Sequence, residues 1–447
     1  MISRMVWTVP LVLPADLVET YAIDLAAAYS AGWAYTHDDV GFSSDGDMYV
    51  LSRLSRYKEG GDEAVDPAEQ SFSFNLVARY TAREDGVPVE LAVFPGRKKH
   101  SEFGDAWDLR LTVLPAGTVA LSGRHDATYL VDADLTRIIG EYTTDSSRNS
   151  FEEYTVGNQF ATRIRVTPSG RLLCLVEEYG TNGYGGFAPN LVAVTDDALR
   201  PEQRPVLRAV ASMDQQPNHQ QADLDTRPYV LFQGQPVGMG HRPLGFADSV
   251  MTQWDSLYRG RKGRFLGVPE PLADDRFVVP LFSGTFRGGS RGNAFTFALM
   301  DDEGKVLGRL EGMDDWQDSP FTGECYRLSI DPARGRVYHL NRYGLYVWDS
   351  HGTLLAKVAT EVRPFSVLKN FTLLGCSPEG DLVLVQDTQH LMVHIPVPGS
   401  GVGDELAAAI ELALAAFAKR RTAVKKQWPQ VAWHWTWQRE AGAPWLL

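Results

Sequence analysis

The sequence predicts an all-β fold built from repeated four-stranded antiparallel sheets, and three observations lead to this prediction. Seven short polar turns, most of them with Gly or Asp, each precede a strongly apolar strand. The turns recur every 45 to 71 residues between positions 46 and 380. This spacing lies near the ~40–50 residues that a four-stranded repeat needs, with room for insertions. Several units also continue into a third and a fourth strand.

Each unit begins with its polar turn, and the turn leads into the second strand of a sheet. Glycine supplies the positive φ that tight turns need, and aspartate can hydrogen-bond its own backbone there. In chain order the strands after the turns are Met48–Leu51, Thr118–Leu121, Arg171–Leu173, Arg227–Leu231, Arg276–Val279, Arg336–Tyr338 and Asp381–Leu384.

The third and fourth strands are most distinct in three of the units. Apolar third strands end in an acidic residue at Tyr129–Asp132, Phe297–Asp301 and Leu345–Asp349. The segments 301–304 and 349–352 end in glycine and are typical hairpin turns. Fourth strands follow at Ile138–Gly140, Val306–Gly308 and Leu354–Ala356.

These units resemble a β-propeller of the general bacterial kind, over roughly residues 33–400. The resemblance implies a seven-bladed β-propeller with short N-terminal and C-terminal helices. The Trp-Asp pairs at 254–255 and 348–349 are similar to those of WD repeats, but the accompanying Gly-His element is missing, so no named family is assigned. The fourth unit is the weakest, because residues 209–228 are polar and Pro228 lies within its strand. A six-bladed propeller with one long insertion is the alternative.

The two ends of the chain differ from the repeats, so we divide it into residues 1–32, 33–400 and 401–447. Helical spacing predicts a helix over Asp16–Tyr29 and a second one over Asp404–Lys426, whose apolar stripe is Leu406, Ile410, Leu414 and Phe417. The last blade shows only three strands. Either the tail strand with Trp433, Trp435 and Trp437 or the N-terminal strand Met5–Val9 supplies the fourth one. We expect the three tryptophans to be structural and mostly buried.

The composition narrows the classes of partner. A net charge of −13 and a pI near 5.3 disfavour nucleic acid and anionic membrane surfaces as partners. Cys174, Cys325 and Cys376 are widely spaced in apolar runs, which predicts buried thiols rather than a disulfide framework or a zinc site. No apolar segment reaches the length of a membrane span, and Pro10 and Pro14 interrupt the apolar N-terminus. We therefore expect a cytoplasmic protein.

Candidate ligand-binding residues come from the loops that, in a propeller, open on one face. Carboxylates and histidines there would bind a divalent cation or share a proton, and arginines with glycine amides would hold an anion. The alternative interpretation is that these residues are solvated tips of surface loops. The candidates are Glu177, Glu178, Asn182, Tyr184, His125, Asp126, His241, Arg242, Arg287, Arg342 and Asp387.

Other motifs carry weaker signals. His37-Asp38-Asp39 resembles a metal-binding triplet, but neighbouring strand residues point to opposite faces, so we interpret it as a surface turn. The acidic run 314–318 lacks the glycine and terminal glutamate of a calcium-binding hand, so we interpret it as a loop between blades. The sequence contains no P-loop, zinc-protease or nucleophile-elbow motif.

Two classes of function remain open. The favoured one is a non-catalytic scaffold that binds a protein or ligand on its loop face, with no cofactor. The alternative is a propeller enzyme, a metal-assisted hydrolase or lactonase, whose site at the channel mouth would need several converging carboxylates.

Overall fold

The structure is a computed structural model, and the ranges that it describes include the strands given below and the C-terminal helix. The described residues are 5–8, 11–23, 33–56, 66, 71–81, 89–95, 110–115, 117–122, 128–142, 154–155, 161–166, 168, 172–177, 190–195, 206–207, 229–232, 235–238, 265–266, 270–273, 276–283, 294–301, 306–313, 317–318, 328–386, 391–399, 402–427 and 434–437.

The chain begins with two short strands and a short helix, which are followed by the first two sheets. The opening elements are β1 (Val6–Thr8), β2 (Leu11–Pro14) and α1 (Ala15–Thr20). Sheet 1 contains β3 (Trp33–Phe42), β4 (Met48–Arg56), β5 (Phe72–Tyr80) and β6 (Glu90–Pro95). Sheet 2 contains β7 (Arg110–Val113), β8 (Val119–Ser122), β9 (Thr128–Val131) and β10 (Ile138–Tyr142).

The middle of the chain forms two larger sheets. Sheet 3 contains β12 (Ala161–Val166), β13 (Leu172–Glu177), β14 (Asn190–Thr195), β16 (Tyr229–Phe232) and β17 (Gln235–Gly238), while β11 (Tyr154–Thr155) pairs separately with β15 (Val206–Leu207). Sheet 4 contains β18 (Phe265–Leu266), β19 (Glu270–Ala273), β20 (Arg276–Ser283), β21 (Ala294–Asp301), β22 (Val306–Arg309) and β23 (Gln317–Asp318).

The last two sheets are joined by a 3-10 helix and followed by a long α-helix. Sheet 5 contains β24 (Leu328–Asp331), β25 (Arg336–Asn341), β26 (Gly344–Asp349) and β27 (Leu354–Ala359), and the 3-10 helix covers Phe365–Asn370. Sheet 6 contains β28 (Thr372–Cys376), β29 (Asp381–Gln386), β30 (Leu391–Pro396) and the N-terminal β1. The chain ends with α2 (Val402–Gln427) and β31 (His434–Trp437), which pairs with β2.

The sheets are arranged as a β-propeller. The strands β3, β7, β12, β19, β24 and β28 each contact the next strand in this order, and β28 contacts β3. Apolar side chains fill the space between neighbouring sheets: one cluster lies between sheets 1 and 2, another between sheets 6 and 1, and a third between sheets 4 and 5. Strands such as β4, β26 and β29 are buried along most of their length, which agrees with their strongly apolar sequences.

Polar contacts link neighbouring sheets at turns between their strands. Arg79 on β5 binds Asp47 of its own sheet and Asp134 in a turn of sheet 2, both at 2.7 Å. In sheet 5, Arg334 binds Asp331 at 2.8 Å and donates to the carbonyl oxygen of Glu379 in sheet 6. These arginines therefore join one sheet to the next.

The predicted count of seven blades is not supported by the described residues, which form six sheets of at least four strands. The prediction of a fourth unit was wrong, because β16 and β17 extend sheet 3 instead of forming a sheet of their own. Pro228 and the polar residues before it offer no apolar first strand for such a sheet. The six-bladed alternative stays a prediction, since most of residues 196–264 lies outside the described ranges.

The structure decides which terminus completes the last sheet. The N-terminal β1 pairs antiparallel with β30, from Val6 opposite Val393 to Thr8 opposite Leu391. The tail strand β31 instead pairs parallel with β2. Trp433 lies outside the described residues, so the burial of the tail tryptophans stays a prediction.

The two terminal helices and the described cysteine differ in how well they were predicted. The C-terminal helix is confirmed at Val402–Gln427, with Leu406, Ile410, Leu414 and Phe417 buried. The helix predicted over Asp16–Tyr29 is described only as the six-residue α1. Cys376 is half-buried rather than fully buried, while Cys174 lies in β13.

Candidate functional site

Few of the predicted ligand-binding residues lie in the described part of the chain. Arg342 is described in full, and Glu177 is the last residue of β13. The other predicted residues lie outside the described ranges: Glu178, Asn182, Tyr184, His125, Asp126, His241, Arg242, Arg287 and Asp387. Whether the predicted residues lie close together therefore stays a prediction.

Arg342 is exposed at the tip of the turn between β25 and β26. The side chain of Asn341 accepts the backbone N–H groups of Tyr343 at 2.8 Å and Gly344 at 3.1 Å, which closes the turn. The Arg342 guanidinium lies over the Tyr343 ring, 4.7 Å from its centroid. This cation–π contact orients the arginine while leaving its charge accessible.

The turn that carries Arg342 identifies the face of the propeller on which the predicted loops open. The N–H of Thr360 donates to the carbonyl oxygen of Tyr343 at 3.1 Å. Thr360 begins the connection from β27 to β28, so this turn and the connection between sheets 5 and 6 lie together. Gln386 ends β29, the equivalent second strand of sheet 6. We call this side of the molecule the loop face.

A groove lies at the edge of the loop face, between α2 and the 3-10 helix. We call it the α2 groove, and its volume is about 770 Å³. Its walls are predominantly apolar on both sides. The lining residues are Pro364, Val367, Asn370, Gln386, Ala408, Glu411, Leu412, Leu414, Ala415, Phe417, Ala418 and Arg421.

The sequence of α2 creates this groove because the helix has two different faces. One face packs on β30, β27 and β1, where Phe417 meets Phe371 with ring centroids 4.9 Å apart. On the other side Leu412 is 44% exposed, and Val367 across the groove is 40% exposed. Covering apolar side chains of this size lowers the free energy, because it removes apolar surface from water.

Polar groups border the groove at defined places. The side-chain oxygen of Gln386 is buried and has no hydrogen-bond partner among the described residues. Glu411 is exposed, and Arg421 is half-buried further along α2. The basic residues Lys419 and Arg420 are exposed beside Arg421. The arrangement suits an apolar ligand segment with a hydrogen-bond donor and an acidic group.

The search by sequence missed this groove. Helical spacing predicts the apolar stripe of α2, but Leu412 lies outside that stripe. A leucine on the polar face of an amphipathic helix was the available signal. The partner wall could not be found in this way, because Val367 belongs to an irregular connection without periodicity.

A second polar feature lies along the innermost strands. Arg165 on β12 binds Glu270 on β19 at 2.5 Å, and Asp39 and Arg110 also contribute to its electrostatic environment. The side chain of Asp39 accepts the N–H of Leu111 at 3.0 Å, and Arg110 donates to the carbonyl oxygen of Asp38 at 3.1 Å. Two acids and two arginines thus balance each other in charge and connect four consecutive sheets.

The interpretation of His37-Asp38-Asp39 as a surface turn was wrong. The three residues lie within β3, where the register shifts between His37 and Asp39. His37 and Asp39 are 3% and 5% exposed, and the His37 Nδ1 lies 2.8 Å from the hydroxyl oxygen of Ser52. The shift in register turns Asp39 toward sheet 2. His37 and Asp39 therefore hydrogen-bond to neighbouring strands.

Burial changes the acid–base properties of several side chains. Burial lowers the pKa of His37 to about 3 and that of His394 to about 4, so both are neutral at pH 7. Burial likewise raises the pKa of the Cys376 thiol well above its ordinary value. In the described part of the chain, no group of three or more His, Cys, Asp or Glu side chains is placed to bind a metal ion.

Comparisons with known proteins give no family for this chain. No protein-family description matches it, and no curated protein is similar to it. Among solved structures, it is similar to the WD40 propeller domain of Doa1, with 10% identity, 81% of this chain and 97% of that chain covered, and a TM-score of 0.32. YCF48 bound to D1 peptide shares 12% identity, with 81% of this chain and 96% of that chain covered and a TM-score of 0.30.

A third similar structure belongs to an enzyme. The α-L-arabinanase of Penicillium chrysogenum complexed with arabinobiose shares 13% identity, with 78% of this chain and 85% of that chain covered and a TM-score of 0.35. Identities and TM-scores in this range leave the function to be argued from the residues of the chain itself. Within the described ranges, none of the helices combines the length and hydropathy that a bilayer span requires.

Proposed function

We propose that this chain is a non-catalytic β-propeller scaffold that binds a protein partner on its loop face, with the α2 groove as the docking surface. One observation carries the proposal: Val367 and Leu412 face a common groove of about 770 Å³ and remain 40% and 44% exposed. Exposed apolar groups that line one concave surface are typical of protein interaction sites. The partner's own apolar side chains would cover them.

The chemistry of the groove favours a helical segment as the occupant. A helix presents apolar side chains three and four residues apart along one face, which suits a groove bordered by another helix. Gln386 offers a hydrogen-bond acceptor, and Lys419, Arg420 and Arg421 favour an acidic residue near one end of the segment. The net charge of −13 weighs against nucleic acid as the partner.

Selection from a displayed library of randomised helical peptides tests this proposal. Peptides enriched on the wild-type chain are expected to carry apolar residues at helical spacing and an acidic residue. Their affinity, measured by fluorescence anisotropy, is expected to fall at least tenfold in Leu412→Lys, since a buried leucine contributes about 1.5–3 kcal/mol. Leu307→Lys is the matched control, because Leu307 is 43% exposed on β22, outside the groove.

Equal binding of the selected peptides to wild type and Leu412→Lys would contradict the proposal, because the groove would then not be their binding site. The enzyme alternative concerns the channel mouth, and most of its predicted residues lie outside the described ranges. Replacing both Glu177 and Glu178 with alanine addresses that alternative separately. The expected cytoplasmic location is part of the same proposal.

A further inference from the structure

We infer that the occupant of the α2 groove is the α2 helix of a second copy of this chain, crossing antiparallel about Leu412. This inference rests on the proposed function, because it uses the same docking surface. It names the partner and the geometry of the contact. Its starting point is the side of α2 that is exposed to solvent in the described part of the chain.

A regular stripe runs along the exposed side of α2. It consists of Glu405, Ala408, Leu412, Ala415, Lys419 and Thr422, which are all exposed. We call it the exposed stripe. Its spacing alternates between three and four residues, which is the spacing of residues that meet between two paired helices. Three of these residues, Ala408, Leu412 and Ala415, also line the α2 groove.

The exposed stripe is complementary to itself when one copy is reversed. Glu405 lies seven residues before Leu412 and Lys419 lies seven residues after it. Each is therefore about 10 Å along the helix axis from Leu412. A two-fold axis at Leu412 places Glu405 of one copy opposite Lys419 of the other, twice. It also places Asp404 opposite Arg420, and alanines beside alanines, which allows close approach of the helices.

The charged residues at the two ends of the stripe are available for such contacts. The positions three and four residues away from Glu405 and from Lys419 carry no opposite charge on α2 itself. Acids near the start of a helix and bases near its end also suit the helix dipole of a single copy. The same order makes an antiparallel pair attractive and a parallel pair repulsive. Two-fold contacts of this kind are the commonest form of self-association.

Charge reversal distinguishes contacts between two copies of α2 from the effect of the same charges on the helix dipole of one copy. Sedimentation equilibrium of the full chain is expected to show a reversible monomer–dimer equilibrium that weakens with added salt. Glu405→Lys alone and Lys419→Glu alone are each expected to weaken dimerisation about tenfold, because attractive pairs become like-charge pairs. An equimolar mixture of the two variants is expected to restore it, as both contacts are then between opposite charges. Thermal melting of each variant confirms that it is folded.

Two results would overturn the inference. One is a wild-type chain that stays monomeric at every concentration, and the other is a dimer whose affinity neither charge variant nor Leu412→Lys changes. If the chain is monomeric but selected peptides still bind the groove in a Leu412-dependent manner, only the identity of the occupant fails. If the selected peptides also fail to depend on Leu412, the proposed docking surface fails with it.

Discussion

Single glycines in the strands of sheets 4 and 5 differ in how much space their neighbours leave. A Cβ atom at Gly344 would lie 2.8 Å from the backbone carbonyl oxygen of Val358, which cannot move aside easily. At Gly308, also in a strand, a Cβ atom would meet nothing within 4 Å. Gly344→Ala is therefore expected to lower the free energy of unfolding by about 1–3 kcal/mol, as overpacking does. Gly308→Ala is expected to leave it unchanged or raise it slightly.

Urea denaturation of both variants measures this difference at the scale of one residue. Because Gly344 closes the turn that carries Arg342, its substitution should also increase proteolysis at that turn. Equal stability of the two variants would show that sheet 5 can shift to accept a side chain at Gly344. The sequence alone did not distinguish the two glycines, since both lie in apolar strands and only the neighbouring strand decides.

At the scale of elements, removal of the N-terminal β1 is expected to have a large effect on stability and aggregation for so short a strand. It covers the edge of β30, and the buried Met5 and Val6 join the cluster beneath α2. A chain that lacks residues 1–9 is expected to unfold less cooperatively and to aggregate, because the edge of β30 becomes available for pairing. A chain that lacks residues 428–447 keeps sheet 6 complete but loses β31 and its pairing with β2, so the comparison shows whether the effect is specific to sheet 6. Light scattering during thermal unfolding compares the two, and greater aggregation of the C-terminal truncation would contradict the expectation.

Elements with strong local patterns were predicted well from the sequence. Three kinds of feature depend on residues close together in the chain and are confirmed: the turns at Gly46, Gly117, Gly335 and Gly380, the three third strands, and the apolar stripe of α2. The turn of the fourth unit, at 225–226, lies outside the described residues. Whether β1 or β31 completes sheet 6 depends on contacts between residues that are almost 400 positions apart. Local spacing contains no information about such pairing. The α2 groove was missed for the same reason, since its walls come from separate elements.

At the scale of the whole molecule, charged groups as well as apolar clusters hold the sheets together. The network of Asp39, Arg110, Arg165 and Glu270 crosses four sheets at the innermost strands. Burial opposes the charge on Arg165, but attraction to Glu270, the hydrogen bond with Glu270 and attraction to Asp39 together raise its pKa. Because the two arginines and the two carboxylates balance in charge, we expect the network to restrict how the sheets are arranged.

The stability of the whole molecule is expected to fall as the pH drops below about 6.5. Burial lowers the pKa of His37 to about 3 and that of His394 to about 4, whereas in the unfolded chain both titrate near the ordinary value of about 6.5. The unfolded chain therefore binds more protons between these values, so stability is full above pH 6.5 and is lost as the pH falls. Each histidine contributes a slope of about 1.4 kcal/mol per pH unit in that range.

Urea denaturation between pH 7.5 and 5 measures this slope before most carboxylates begin to titrate. Replacing His37 or His394 with glutamine is expected to lower stability at pH 7 and to flatten the slope, because glutamine does not take up a proton. His351→Gln is the matched control, because His351 is exposed and its substitution should leave the slope unchanged. A slope that persists in the double variant of His37 and His394 would mean that other buried groups cause the acid sensitivity.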